Sequence, residues 1–241
     1  MDFYNNKTDE EKARWYSAGA TFYAEGRPTY PVALTTAVAA VAGWREDSRI
    51  LEIGSGPGTA TQGFVGFGGE ILCVEPNSEF VSLAQQAMSH FSNVAFQMST
   101  SEEAQLAPPY DIILAASSFH WIDAGRGLKR MRDVLSPMGF VVLLWNKEPQ
   151  PITTQADAVD EAFRRSGFTQ QASRQSREET AKVFWDLSQP LQGAAFIERL
   201  YSHTLTSDDY SIDRFIALQR SLSPFLALPL QEQQKVAGKL T

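Results

Sequence analysis

Three observations predict a doubly wound α/β fold with a mostly parallel sheet. Apolar runs of strand length alternate with amphipathic helical stretches from Val32 to Trp145. The runs Ile112 to Ala116 and Phe140 to Trp145 lack inside–outside alternation, as strands buried on both faces do. The first strand also breaks into a glycine loop and a helix start, I-L-E-I-G-S-G-P-G-T, at Ile50 to Thr59. Right-handed crossovers then put helices on both sheet faces, and 241 residues suffice for one large core with a helical cap.

Thr8 to Tyr23 is polar with Trp15, Tyr16, Phe22 and Tyr23 interleaved, and reads as one helical segment, then a loop, docking on the body. In Y-A-E-G-R-P-T-Y-P, Tyr23 to Pro31, two prolines forbid regular helix, and Pro31 opens a helix from Val32 to about Gly43. Strands are expected at Arg49 to Ile53, Ile71 to Glu75, Val94 to Gln97, Ile112 to Ala116 and Phe140 to Trp145. Helices over Ala60 to Phe67, Ser78 to His90 and Leu128 to Leu135 separate them, and an S-P-M-G turn spans Ser136 to Gly139. Beyond Asn146 helices dominate: Thr153 to Gly167, Gln175 to Leu187, Ser207 to Leu222 with a Ser207 N-cap, and Leu230 to Leu240. Only Phe196 to Leu205 offers a further strand, so either the sheet ends one strand short or the chain is a shortened version of something longer. The organisation is a covering segment at 1–31, a core at 32–146 and a mainly helical region at 147–241.

The net charge of −7 argues against a nucleic-acid partner, since the nearest basic cluster, Lys129, Arg130 and Arg132, has the spacing of a solvated helix face. No apolar run approaches the roughly 18 residues of a membrane span, and the N-terminus carries no apolar leader, so a cytoplasmic protein is expected. Cys73 is the only cysteine, which rules out an intramolecular disulfide and any multi-cysteine metal site.

Gly54, Gly56 and Gly58 permit a bare loop edge against a ligand, before the positive end of a helix. A plain connecting turn would also explain them. A dinucleotide site would want glycine where Thr59 stands, and a phosphate-binding P-loop would need a Gly-Lys-Ser/Thr that is missing. Glu75 ends the next strand about twenty residues on, where a doubly wound sheet sets a carboxylate against the ribose hydroxyls of an adenosine.

L-E-I-G-S-G-P-G, then V-E-P-N, then F-H-W-I-D after the fourth strand resemble the motifs of class I S-adenosylmethionine-dependent methyltransferases. With R-P-T-Y-P at Arg27 to Pro31, the chain is similar to the small-molecule group around trans-aconitate methyltransferases. The resemblance covers roughly Tyr23 to Asn146 and implies a Rossmann-like methyltransferase fold. It implies that Glu52, Gly54 and Gly56 follow the methionine part of S-adenosylmethionine and Glu75 binds its ribose. Asn77 would lie near the adenine, with Ser99, Thr100, Ser101 and an acid at Glu102 or Glu103 at the far edge. Gly58, Pro76 and Ser117 complete the implied cofactor set, and Tyr23 and Arg27 would close over it. Arg27 suits a carboxylate of methionine or of an acidic substrate, with a plain surface arginine as the other reading.

Ser118, Phe119, His120 and Trp121 follow the fourth strand at the sheet edge where α/β proteins hold ligands. His120 could act as a general base or could be fixed by packing, with Phe119 and Trp121 beside it in the substrate pocket. No second ligand stands at metal spacing from His120. The implied activity is methyl transfer to a small molecule, a carboxylate or hydroxyl, yielding S-adenosylhomocysteine. A non-catalytic domain binding S-adenosylmethionine and acting through partner contacts is the alternative, and a nicotinamide dehydrogenase a weaker one. Oligomeric state is not encoded in any motif.

Overall fold

A computed structural model describes residues 7–123, 125–166 and 176–240. Five strands, β1 (Arg49–Ile53), β2 (Glu70–Glu75), β3 (Val94–Met98), β4 (Tyr110–Ala116) and β5 (Leu135–Leu144), form one sheet in the order β3-β2-β1-β4-β5. Every neighbouring pair is parallel. The chain moves outward from β1 to β3, then crosses back to β4 beside β1, so β1 and β4 flank the point where strand order reverses. The apolar runs are continuous because both faces are covered. Leu51, Ile53, Ile113 and Ala115 pack on one face against Leu128, Met131 and Val134 of α6 (Arg126–Val134). Ile50, Ile112 and Leu114 pack on the other, beside α3 (Val32–Val41) and Phe64 of α4 (Thr59–Phe64). The crossover after β2 is α5 (Ser78–Ala87), whose Asn77 N-cap accepts from the Glu79 and Phe80 amides at 3.0 and 3.2 Å.

The structure corrects several expectations. The single N-terminal helix is three short pieces, α1 (Asp9–Arg14), a 3₁₀ turn at Ser17–Gly19 and α2 (Ala20–Gly26), so Tyr23 lies in a helix and not a loop. Thr8 caps α1 through a reciprocal bond with Glu11, a pattern that fixes one turn without extending the helix. The S-P-M-G stretch is an excursion inside β5. Leu135 pairs with Tyr110 and Phe140 with Ile112, leaving Ser136 to Gly139 opposite Asp111, whose carboxylate accepts from Ser136 Oγ and the Arg49 amide. Phe196 to Leu205 forms no strand; it runs over the surface with Ile197 and Leu200 exposed. The helix placed at Ser207 starts at Ile212, capped by Ser211, while Asp208 pairs with Arg214 at 2.9 Å.

Beyond β5 come α7 (Thr153–Ser166), α8 (Arg177–Ser188), α9 (Pro190–Gly193), α10 (Ile212–Arg220), α11 (Ser223–Leu226) and α12 (Leu230–Leu240). Part of the expectation for 153–167 and 175–187 falls on residues outside the described ones. No described helix is long and apolar enough to cross a membrane. In the helical layer α2 and α10 approach closely at Gly26, where a Cβ would come within 2.2 Å of the Leu218 backbone nitrogen. Only a residue without a side chain lets α2 lie that near α10.

Candidate active site

The C-terminal ends of all five strands open into one cleft of about 1060 Å³. At its centre the chain leaves β1 through Gly54, whose φ of +64° favours glycine and whose Cβ would collide with Ser118 Cβ at 2.5 Å. Gly56, at φ +56°, has no atom within 4 Å of where its Cβ would stand, so a bare backbone edge faces the cleft. Gly58 takes the N-cap position of α4 and lies outside the cleft lining; its part is in the turn.

Two buried acids organise the loop. Glu75 accepts from the Gly56 amide at 2.9 Å with Oε2 and from the Asn77 amide at 2.8 Å with Oε1. Burial raises its carboxyl to about 7, although these two amides pull the other way. Glu52 accepts from Thr61 Oγ1 at 2.7 Å with Oε2, and its Oε1 has no partner among the described residues. Burial pushes Glu52 up to about 8. A buried carboxylate oxygen without a donor is a place for a ligand's polar hydrogen.

The N-terminal pieces form the wall over this edge. The Tyr16 ring stacks on Phe80 at 5.8 Å and meets Tyr23 and Trp121 edge-on. Burial pushes the Tyr23 hydroxyl up to about 12, so the phenol stays neutral. Asn77 lines the cleft, but its amide is committed: besides capping α5 it donates to the Ala13 carbonyl at 2.8 Å and to Ser17 Oγ at 3.0 Å, tying this wall to β2. Pro76, Thr100 and Ser101 also line the cleft. Of the two acids offered for the far edge, Glu102 lines it, with oxygens engaged by Ser101 Oγ and the Asp123 amide, while Glu103 faces solvent.

Arg27 lines the cleft already paired. Its guanidinium sits 4.6 Å over the Tyr23 ring, holds Glu148 at 2.8 Å, and donates to Ser221 Oγ at 3.1 Å. Burial works against the Glu148 carboxylate, but Arg27 and Lys147 hold it below the usual range. The reading of Arg27 as a surface residue therefore gives way to an internal ion pair, in which Glu148 supplies the carboxylate.

At the β4 end Ser117, at φ +55°, shares a hydrogen bond of 3.2 Å with the Tyr30 hydroxyl, and Ser118 Oγ donates to the Ile53 carbonyl. Phe119 turns into the core beside Leu51 and Ile113 and does not line the cleft. His120 and Trp121 do, with ring centroids 5.6 Å apart. His120 is exposed toward the cleft, and desolvation by the neighbouring protein lowers it to about 4, leaving a neutral imidazole at pH 7. Tyr16, Tyr30, Glu148 and Ser221 were missed from the sequence. Tyr30 lay in the quoted R-P-T-Y-P element, whereas nothing local marks Glu148 or Ser221. Among the described residues no cluster of three or more His, Cys, Asp or Glu is placed to hold a metal.

Residues 51–141 match the methyltransferase-domain family. An uncharacterised methyltransferase of Mycobacterium tuberculosis is 32% identical over 126 residues, which are 52% of this chain and 49% of that protein. The chain thus spans about half the length of that relative. An uncharacterised methyltransferase of Schizosaccharomyces pombe is 24% identical over 94% of this chain and 86% of its own length. A solved structure assigned as a type II methyltransferase from Anaeromyxobacter dehalogenans shares the fold, with a TM-score of 0.57 at 19% identity over 89% of this chain and 88% of that one. With a five-stranded parallel sheet and the family match across its central strands, residues 51–141 form a class I methyltransferase domain.

Proposed function

We propose that the chain binds S-adenosylmethionine in this cleft and passes its methyl group to a small-molecule acceptor in the cytoplasm. One observation carries the reading. Glu75 stands at the end of β2 with each oxygen oriented by a backbone amide, leaving lone pairs for a ribose diol beside the open Gly56 edge. The unpartnered Glu52 Oε1 is an acceptor for the donor groups of the amino-acid part. When bound, S-adenosylmethionine supplies a methyl group on a sulfonium, an electrophile that needs little further activation.

The residues then have three tasks. Glu52, Glu75 and the glycine loop hold the donor in one pose, and positioning of this kind provides most of the rate of an in-line displacement. Tyr16, Tyr23, Phe80 and Trp121 exclude water from the adenosine side. His120, neutral at pH 7, accepts a proton where the acceptor is a hydroxyl and stands idle where it is a carboxylate. The cleft extends well past Glu75 toward α8 and α10, which favours a second reactant over a module that only binds its cofactor.

Titration calorimetry with S-adenosylhomocysteine tests the reading. The expected result is saturable one-to-one binding, weakened about tenfold to a hundredfold in Glu75→Ala, the range for hydrogen bonds to a charged group. No heat of binding with the unaltered protein would sink it.

A further inference from the structure

We infer that the methyl acceptor is an uncharged molecule with an apolar body about the size of an aromatic ring system, and not a polycarboxylate. The inference rests on the methyltransferase reading above and adds the substrate class to it.

The two ends of the cleft differ in chemistry. Its cofactor end is polar, built from Glu52, Glu75, the glycine loop and Thr100 to Glu102. The other end is closed by the helices that follow β5. Val159 of α7, Val183, Phe184 and Leu187 of α8, Phe215 of α10 and Leu222 just after it face it, and among the described residues those beyond 151 contribute no charged side chain to the lining. Phe184 lies flat on Trp145 at 5.5 Å and an interplanar angle of 11°, so a ring stack forms part of the wall. These α8 side chains are only half-buried, and an apolar body laid against them removes their remaining surface from water.

Charge points the same way. The whole cleft is lined by six acidic side chains, Asp9, Glu52, Glu75, Glu102, Asp123 and Glu148, of which burial draws Glu52 and Glu75 toward the neutral form, against four cations, Lys12, Arg27, Arg126 and Lys147. Arg27 is neutralised by Glu148 at 2.8 Å, and Lys147 shares the same acid at 3.8 Å. Arg126 stands on the cofactor side, near Asp9 and Asp123. A tricarboxylate at the apolar end would be desolvated without a matching set of cations, an arrangement that strongly disfavours binding. The volume of about 1060 Å³ exceeds the range of a single drug-sized ligand, so an acceptor fits beside the donor.

The test uses the full chain saturated with S-adenosylhomocysteine and the neutral fluorescent probe N-phenyl-1-naphthylamine, with trans-aconitate as competitor. Expected are saturable probe binding, about tenfold weaker binding in Phe184→Asp and in Leu187→Asp, and S-adenosylhomocysteine affinity within about twofold of the parent in both variants. Millimolar trans-aconitate should leave the probe in place and accept no labelled methyl. Probe binding unaltered in both variants, probe binding that never saturates, or displacement or labelling by trans-aconitate would overturn the inference. Retained S-adenosylhomocysteine affinity shows that a variant has folded. Its absence in the unaltered protein would remove the methyltransferase reading itself, an outcome separate from failure of the probe arm.

Discussion

Glu52 and Glu75 are the residues whose chemistry responds most to conditions. Both carboxyls are raised by burial, to about 8 and about 7, so between their ordinary value of 4.5 and pH 8 the folded chain holds more protons than the unfolded one. Their stabilising contribution is complete below pH 4.5 and is lost as pH rises through 7 and 8. The melting temperature of the cofactor-free protein should therefore fall between about pH 5 and 8.5, and Glu52→Gln should flatten that fall, as scanning calorimetry would register. Ligand binding runs the other way: hydroxyl donors favour ionised Glu75, so S-adenosylhomocysteine affinity should rise as pH passes through 7. The two glycines of the loop separate fold from function. Gly54→Ala meets both a left-handed φ and the Ser118 side chain and should destabilise by about 2 kcal/mol or more in chemical denaturation. Gly56→Ala bears only the backbone strain, about 1 kcal/mol, yet its methyl enters the cleft and should reduce cofactor affinity more than Gly54→Ala reduces it per unit of stability lost. That these residues would stand together at the strand ends was legible because spacing and residue type are local facts. Arg27 was half legible: its type suggested a carboxylate partner, but the partner is Glu148, 121 positions away, and nothing in either neighbourhood connects the two.

The central strands were readable for a physical reason, since cover on both faces of the sheet writes unbroken apolar runs into β4 at Ile112 to Ala116 and into β5 from Phe140. The S-P-M-G stretch misled because proline and glycine signal a turn whether the chain reverses or only leaves the ladder for four residues. Phe196 to Leu205 misled in the opposite sense. Its β-prone residues express a local preference, and a strand also needs a partner edge, which composition does not supply. The N-terminal pieces were visible as aromatic, but their destination was set by tertiary contact at Gly26. Gly26→Ala should lever α2 off α10 at a cost of about 1–3 kcal/mol. Limited proteolysis should then cut residues 9–26 faster and S-adenosylhomocysteine should bind more weakly, while the far-ultraviolet circular dichroism of the core persists. Unchanged cleavage and affinity would show that the two helices tolerate the added methyl.

At the scale of the molecule, the ion pair of Arg27 and Glu148 joins three distant segments, because the same guanidinium also donates to Ser221 Oγ and to the Ser221 carbonyl. Removing the cation alone leaves Glu148 beside the cleft without its main partner. Arg27→Met should destabilise by about 2 kcal/mol, below the range for fully buried pairs because the Glu148 side chain is one-third exposed. The double variant Arg27→Met with Glu148→Gln should recover most of that loss, and a denaturant-based double-mutant cycle measures the coupling. Trp15 and Tyr16 reach Ser223 in the same region, and the Tyr210 hydroxyl donates to the Gly26 carbonyl. The roof of the cleft is thus sewn from residues 15–27 and 210–223, while its floor is finished at residue 144. During synthesis the sheet with its glycine loop and Glu75 emerges whole long before the covering segment has α10 to settle on. The covering segment, made first, therefore gains its contacts with residues 210–223 only after every residue of the sheet has been made.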